Sequence, residues 1–206
     1  MSRDAVAGAD GLLRCPWSLS QPELTVYHDE EWGRPVRTAT CLFERLTLEA
    51  FQSGLSWLTI LRKRENFRTA FAGFDPEQVA AFGPSDIDRL LGDAGIVRNR
   101  AKIEAAVHNA GVVAGMGHDF VDLVWSHADP GRPRPTLADW RATSPESVAL
   151  ARALKQRGIR FFGPTTAYAM MQATGLVDDH LADCQVPDIS APGAVTRIGS
   201  GRDDTE

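Results

Sequence analysis

The chain has 206 residues, 43% of them hydrophobic, which suits one medium domain or two small ones with ample apolar surface for a core. Its 22 basic and 27 acidic side chains leave a formal charge of −5, so no overall positive field points to a nucleic acid, and any such binding has to rest on local geometry. Charges, glycines and prolines cut every apolar stretch well short of the roughly 18 residues a membrane span needs, which predicts a soluble protein with no membrane partner.

Residues 1–13 lack the basic flank and long apolar run of a secretion signal, and three cysteines, an odd count, do not suit a disulfide scaffold. A reducing, cytoplasmic setting is expected. No repeat or Gly/Ser linker divides the middle of the chain, so residues 14–186 read as one domain, with 1–13 and 187–206 as loose tails.

Between the tails the period is helical. Trp57, Ile60, Leu61, Phe67 and Phe71 line one face of a helix whose other face carries Arg62, Lys63, Glu65 and Arg68. Ile103, Ala106, Val107 and Ala110 form a second stripe. Asp75-Pro76 and Ser144-Pro145 read as helix starts, an acceptor side chain followed by a proline that needs no acceptor for its own nitrogen. Gly54, Gly95, Gly158 and Gly175 each follow a helical run, as left-handed helix ends require. Alternating strands bounded by hairpin turns are missing, so the expected fold is all-α, helix packed on helix.

Cys15 and His28 stand near the N-terminus, while His180 and Cys184 share one helical face at i,i+4 spacing. The four make a Cys₂His₂ set of the kind that closes a tetrahedron around a structural Zn²⁺, leaving no position for a catalytic water. Such a site would join the N- and C-terminal segments. Spacing alone also fits four scattered residues. Cys41 has no partner at ligand spacing and reads as a small core residue.

Ser85–Ala106 reads as a short helix, a tight turn at Gly95 and a second helix, similar to a helix–hairpin–helix whose backbone N–H groups grip a DNA phosphate. Arg98, Arg100 and Lys102 flank the turn and could pair with neighbouring phosphates. Val97 stands where the usual second glycine belongs, so an ordinary turn between helices is the alternative. Upstream, Leu48–Trp57 sets one carboxylate, Glu49, in an apolar helix that turns sharply at Gly54-Leu55. Glu49 is either a solvent-facing edge residue or a buried acid with a partner or ligand. Tyr27, Trp17 and Trp32 are core aromatics by default.

Taken in order, Arg14-Cys15-Pro16-Trp17, Tyr27 through Gly33, Leu48 through Trp57, Lys63 through Phe67, Asp93 through Ile96, Phe120 through Trp125 and Met171 through His180 resemble the 3-methyladenine DNA glycosylase I family over residues 14–186. The resemblance implies a hydrolase that flips an alkylated adenine out of double-stranded DNA and cuts its N-glycosidic bond, the first step of base excision repair. It implies that Glu49 is the catalytic, base-recognising acid, that Tyr27 and Trp57 complete the base pocket, and that Cys15, His28, His180 and Cys184 hold one zinc. It further implies DNA contacts at Gly54, Leu55, Gly95, Val97, Arg98 and Lys102, with Leu55 as an apolar wedge. Methylation at N3 makes the purine cationic, so ring faces and one buried carboxylate favour it over neutral adenine. In related hairpin glycosylases with lyase activity a lysine and an aspartate stand at what are here Asn99 and Gly117. Asp119 reads as part of a helix start, so a monofunctional hydrolase is expected; separately, the chain is expected to be a monomer. Leu24 replaces a second pocket tyrosine common in the family, which leaves the substrate range open.

Overall fold

A computed structural model describes residues 4–129 and 131–185; the stretch 187–206, expected as a tail, lies outside the described residues. The described residues form nine α-helices: α1 (Pro22–Glu30), α2 (Ala39–Gln52), α3 (Trp57–Ala70), α4 (Pro76–Ala80), α5 (Pro84–Gly92), α6 (Arg100–Met116), α7 (His118–Trp125), α8 (Pro145–Gln156) and α9 (Pro164–Ala173). The fold is all-α, as the 3.6-residue periodicity predicts. No helix among the described residues is long and apolar enough to cross a membrane.

Helix α2 is the axis of the molecule. It packs against α3, α4, α6, α7 and α9, and every residue from Leu42 to Phe51 is buried. The predicted stripe of α3 supplies Ile60 and Phe67 to the same core, with Phe71 just beyond its end, all fully buried. Phe51 meets Phe67 edge to face with centroids 4.9 Å apart, and Phe71 stacks on Phe74 at 5.6 Å. Each such ring adds about 1.5–3 kcal/mol by burial alone. Of the α6 stripe, Ile103, Ala106 and Ala110 are buried and Val107 packs at the margin. Cys41 is half-buried against this core.

The predicted caps form. Asp75 accepts the amides of Glu77 and Gln78 ahead of α4, and Ser144 accepts that of Ser147 ahead of α8. Gly54, Gly158 and Gly175 have positive φ, but Gly95 does not. Gly95 is required for space instead: a Cβ there would stand 2.9 Å from Asp93 Oδ1 and 3.1 Å from Asn66 Cβ on α3.

Residues 4–13, expected as part of a loose tail, are tied to the C-terminal segment. Two short strands, β1 (Val6–Ala7) and β2 (Leu13–Arg14), pair antiparallel with Val6 opposite Arg14. The amides of Asp4 and Ala5 donate to the Asp183 carboxylate, each at 3.0 Å, and the amide of Gln185 donates to the Leu13 carbonyl at 2.9 Å. The signal missed at sequence level is pairing across the whole length of the chain, which local composition does not carry.

Candidate active site

A second apolar cluster, separate from the main core, gathers Cys15, Tyr27, Trp32, Ala173, Leu181 and Cys184, with Trp17, Trp57 and Trp140 against it. Where this cluster faces α2 and α9 there is a cavity of about 230 Å³ lined by Trp17, Tyr27, Trp32, Glu49, Gln52, Trp57, Trp140, Ala169 and Gln172. The Tyr27 and Trp57 rings are 5.3 Å apart and tilted by 45°.

Glu49 reaches this cavity because α2 is buried on all sides and must settle each of its polar residues. Glu44 pairs with Arg68 at 2.9 Å, and Arg45 pairs with Glu31 at 2.9 Å, Glu31 being held also by Arg64. Glu49 is 6% exposed and makes no side-chain hydrogen bond among the described residues. Burial pushes its carboxyl up to about 8 from an ordinary value near 4.5, opposed only by the positive charge of Arg45 one turn away. Of the two readings the sequence allows, solvent-facing edge or buried acid, the structure has the second. The Tyr27 phenol is also raised by burial and has no hydrogen-bond partner among the described residues. Leu24 is buried on α1 but does not line the cavity.

Trp17, Trp32, Gln52, Trp140 and Gln172 also line the cavity, and nothing in the sequence alone marks them for it. Gln172 lies within the Met171 through His180 motif, yet an amide on a helix gives no sign of which cavity it will meet. Trp140 follows a single 3₁₀ turn at Leu137–Asp139, far from any periodic pattern.

Next to the cavity, the ligand atoms of Cys15, His28 and Cys184 lie within 4.8 Å of one another, and all three residues are buried. Cys184 Sγ is 3.7 Å from His28 Nε2. His180 stands outside that mutual distance, but its ring is 5.0 Å from the His28 ring and is fully buried. Each imidazole has Nδ1 bound to a carboxylate at 2.8 Å, His28 to Asp29 and His180 to Asp178, which leaves both Nε2 atoms for another partner. His180 Nε2 is buried without one among the described residues. The Cys184 sulphur and burial together raise the Cys15 thiol, so a cation is what would hold these sulphurs as thiolates. Gly33 makes room for the set: a Cβ there would stand 2.7 Å from His180 Cε1. Two sulphurs and two imidazoles suit zinc in chemistry and number, and three of the four, Cys15, His28 and Cys184, already converge.

The third group of expected residues surrounds two turns. Between α5 and α6, the Lys63 ammonium binds the carbonyls of Ala94 and Gly95, and the amides of Val97 and Arg98 meet no backbone acceptor among the described residues. Arg98 is exposed; Arg100 is held by Asp88 at 3.3 Å and Glu104 at 3.5 Å. Lys102 is committed elsewhere: its ammonium donates to the carbonyls of Phe51 at 3.0 Å and Ser53 at 2.6 Å, so it braces the end of α2. The turn it braces carries Gly54 at φ +84° and Leu55, 42% exposed. Asn99 caps α6, accepting the Lys102 amide, and Gly117 separates α6 from α7. Asp119 is exposed in the first turn of α7.

The methyladenine glycosylase family profile matches residues 17–187. The DNA-3-methyladenine glycosylase 1 of Escherichia coli is 46% identical over 177 residues, 83% of this chain and 95% of that protein. The DNA-3-methyladenine glycosylase of Haemophilus influenzae is also 46% identical, over 83% and 96%. A crystal structure of 3-methyladenine DNA glycosylase I superposes with a TM-score of 0.79 at 45% identity, covering 84% of this chain and 98% of the other. A variant of 3-methyladenine DNA glycosylase I solved in complex with 3-methyladenine gives 0.78 at 36% identity, covering 84% and 97%. With a profile that spans most of its length and relatives this similar end to end, the chain belongs to the methyladenine glycosylase family.

Proposed function

We propose that this protein is a DNA glycosylase that binds 3-methyladenine flipped out of duplex DNA and hydrolyses its N-glycosidic bond. One observation carries the reading: the buried Glu49 carboxyl, with no side-chain hydrogen bond among the described residues, belongs to the wall of a cavity lined by tryptophan and tyrosine rings. An unpaired acid in such a place costs stability, and a cationic, flat ligand is what would offset that cost. Relatives named for 3-methyladenine, one of them solved with that base, support the same ligand.

N3-methylation places positive charge on the purine. When the C1′–N9 bond breaks, its electron pair passes to the base, which leaves neutral, while the sugar becomes oxocarbenium-like and takes a hydroxyl from water, whose remaining proton goes to solvent. A base already charged is a good leaving group, so strong acid or nucleophilic assistance is unnecessary. Glu49 pairs with the cationic base, and Tyr27 and Trp57 bound it with their rings. Asn99 and Gly117 supply no amine or carboxylate at the positions used for lyase chemistry, so no Schiff base forms.

Cys15, His28, His180 and Cys184 hold a structural zinc whose chemistry is to cross-link the N- and C-terminal segments beside the pocket. The orphaned Nε2 of buried His180 supports that ligand set. On the DNA side, the amides of Val97 and Arg98, which meet no backbone acceptor among the described residues, and the Arg98 guanidinium grip a phosphate at the hairpin. Leu55, presented by the Gly54 turn and braced by Lys102, enters the gap left by the flipped nucleotide.

Chromatography of the bases freed from methylated duplex DNA tests the proposal. Release of 3-methyladenine by the wild type and its loss in Glu49→Gln are expected. Undiminished release by that variant refutes the role of Glu49, and release of no base refutes the function.

A further inference from the structure

We infer that Gln172 reads the exocyclic amino group of the bound base, so that the pocket selects a 6-amino over a 6-oxo purine. This deepens the functional reading above and rests on it. Gln172 lines the cavity from α9, one turn after Tyr168 and beside the small Ala169. Its Nε2 donates to Asp179 Oδ2 at 2.8 Å. Asp179 is 1% exposed and cannot turn away: the Tyr168 hydroxyl donates to the same oxygen, and the Arg132 guanidinium lies 2.9 Å from the other. Arg132 also donates to the Tyr168 hydroxyl at 2.7 Å, which fixes the direction of the Tyr168 proton toward Asp179.

A carboxylate so held accepts and does not donate, so the amide nitrogen of Gln172 has to face it. That leaves Oε1, which has no donor among the described residues, as the end of fixed polarity available to a ligand. Gln52, also on the cavity wall, has no side-chain hydrogen bond among the described residues and can present either end of its amide. Gln172 cannot. Adenine carries an N–H donor at position 6, whereas guanine and hypoxanthine carry an acceptor oxygen. An oxygen facing Oε1 leaves two acceptors opposed and unpaired, the arrangement by which polar sites reject close analogues.

Equilibrium titration of the pocket tryptophan fluorescence with 3-methyladenine and 3-methylhypoxanthine, bases that exchange donor for acceptor at this edge, tests the assignment. The wild type is expected to bind the amino base about tenfold or more tightly than the oxo base. Gln172→Met should bring the ratio near unity. Asp179→Asn, which can offer an N–H to Oε1 and so turn the amide round, should move the ratio toward the oxo base. Should that variant fail to fold, Gln172→Met, at a half-exposed position, still decides. An unchanged ratio in Gln172→Met overturns this assignment alone. Failure of the wild type to bind either base overturns the assignment together with the functional reading.

Discussion

Replacing Glu49 by glutamine should stabilise the fold, and by an amount that depends on pH. Glu49 lies in the packed centre of α2 with its carboxyl raised from near 4.5 to about 8 by burial. Between those two values the unfolded chain has released the proton and the folded chain still holds it. The unfolded state then binds fewer protons, so stability falls as pH rises. Below about 4.5 both states are protonated and nothing is lost; above about 8 the full penalty applies, roughly 5 kcal/mol for a shift of this size. At pH 7 it is roughly 3 kcal/mol. The glutamine amide brings its own burial cost, but that cost does not titrate. The difference in unfolding free energy between Glu49→Gln and wild type should therefore grow in favour of the variant by roughly 3 kcal/mol between pH 5 and pH 8. Urea unfolding of both proteins at several pH values measures it, with every other titrating group common to the pair. A difference that stays flat over this range, or that falls, would show that the carboxylate is solvated or paired and would refute the reasoning from burial.

The same carboxyl should make cation binding pH-dependent. A 3,9-dimethyladeninium probe, whose charge persists across the range, should bind about tenfold more tightly per pH unit as pH approaches 8 and level off above it, by fluorescence titration. Cys184→Ala should lower the melting temperature and abolish stoichiometric zinc by elemental analysis; full metal content with an unaltered melting curve counts against the clip. Gly95→Ala forces a Cβ against Asn66 and Asp93, so calorimetry should show a loss of about 1–3 kcal/mol, with duplex binding weakened and free-base binding kept. Leu55→Ala removes an exposed side chain and should change stability by less than about 0.5 kcal/mol while slowing excision from duplex DNA. Equal excision rates would remove Leu55 from the wedge role.

What could be read from the sequence was whatever depends on local spacing. The stripes of α3 and α6, the Asp75 and Ser144 caps and the all-α class follow from a 3.6-residue period and the chemistry of helix ends. Glu49, Tyr27 and Trp57 were legible as a set only through the family motifs, since nothing local distinguishes a buried acid from an exposed one on an amphipathic helix. Lys102 shows what local spacing leaves out. Its charge beside a hairpin suggested phosphate, but two carbonyls more than forty residues upstream claim its ammonium. The residues 4–13 share that cause, because Asp183 holds them from the far end of the chain, whereas Gln172 is fixed by Asp179 seven residues on, beyond the end of its own helix, where helical spacing gives no guide.

The instability carried by Glu49 also bounds how well the pocket can tell damaged from normal adenine. Ionising Glu49 at pH 7 in the empty pocket takes roughly 1.4 kcal/mol, one unit below its raised value near 8. Set against a cationic base at about 4 Å, the ionised acid regains roughly 4 kcal/mol at the effective dielectric of a protein site. Neutral adenine offers no charge, so it meets the protonated acid and regains nothing of this kind. The surplus, roughly 2–3 kcal/mol, corresponds to a preference of about a hundredfold from the one carboxyl. Raising the pH to 8.5 removes most of the ionisation cost and should widen the preference for the cationic probe over adenine severalfold. In Glu49→Gln the preference should collapse to whatever the rings provide, and should no longer change with pH.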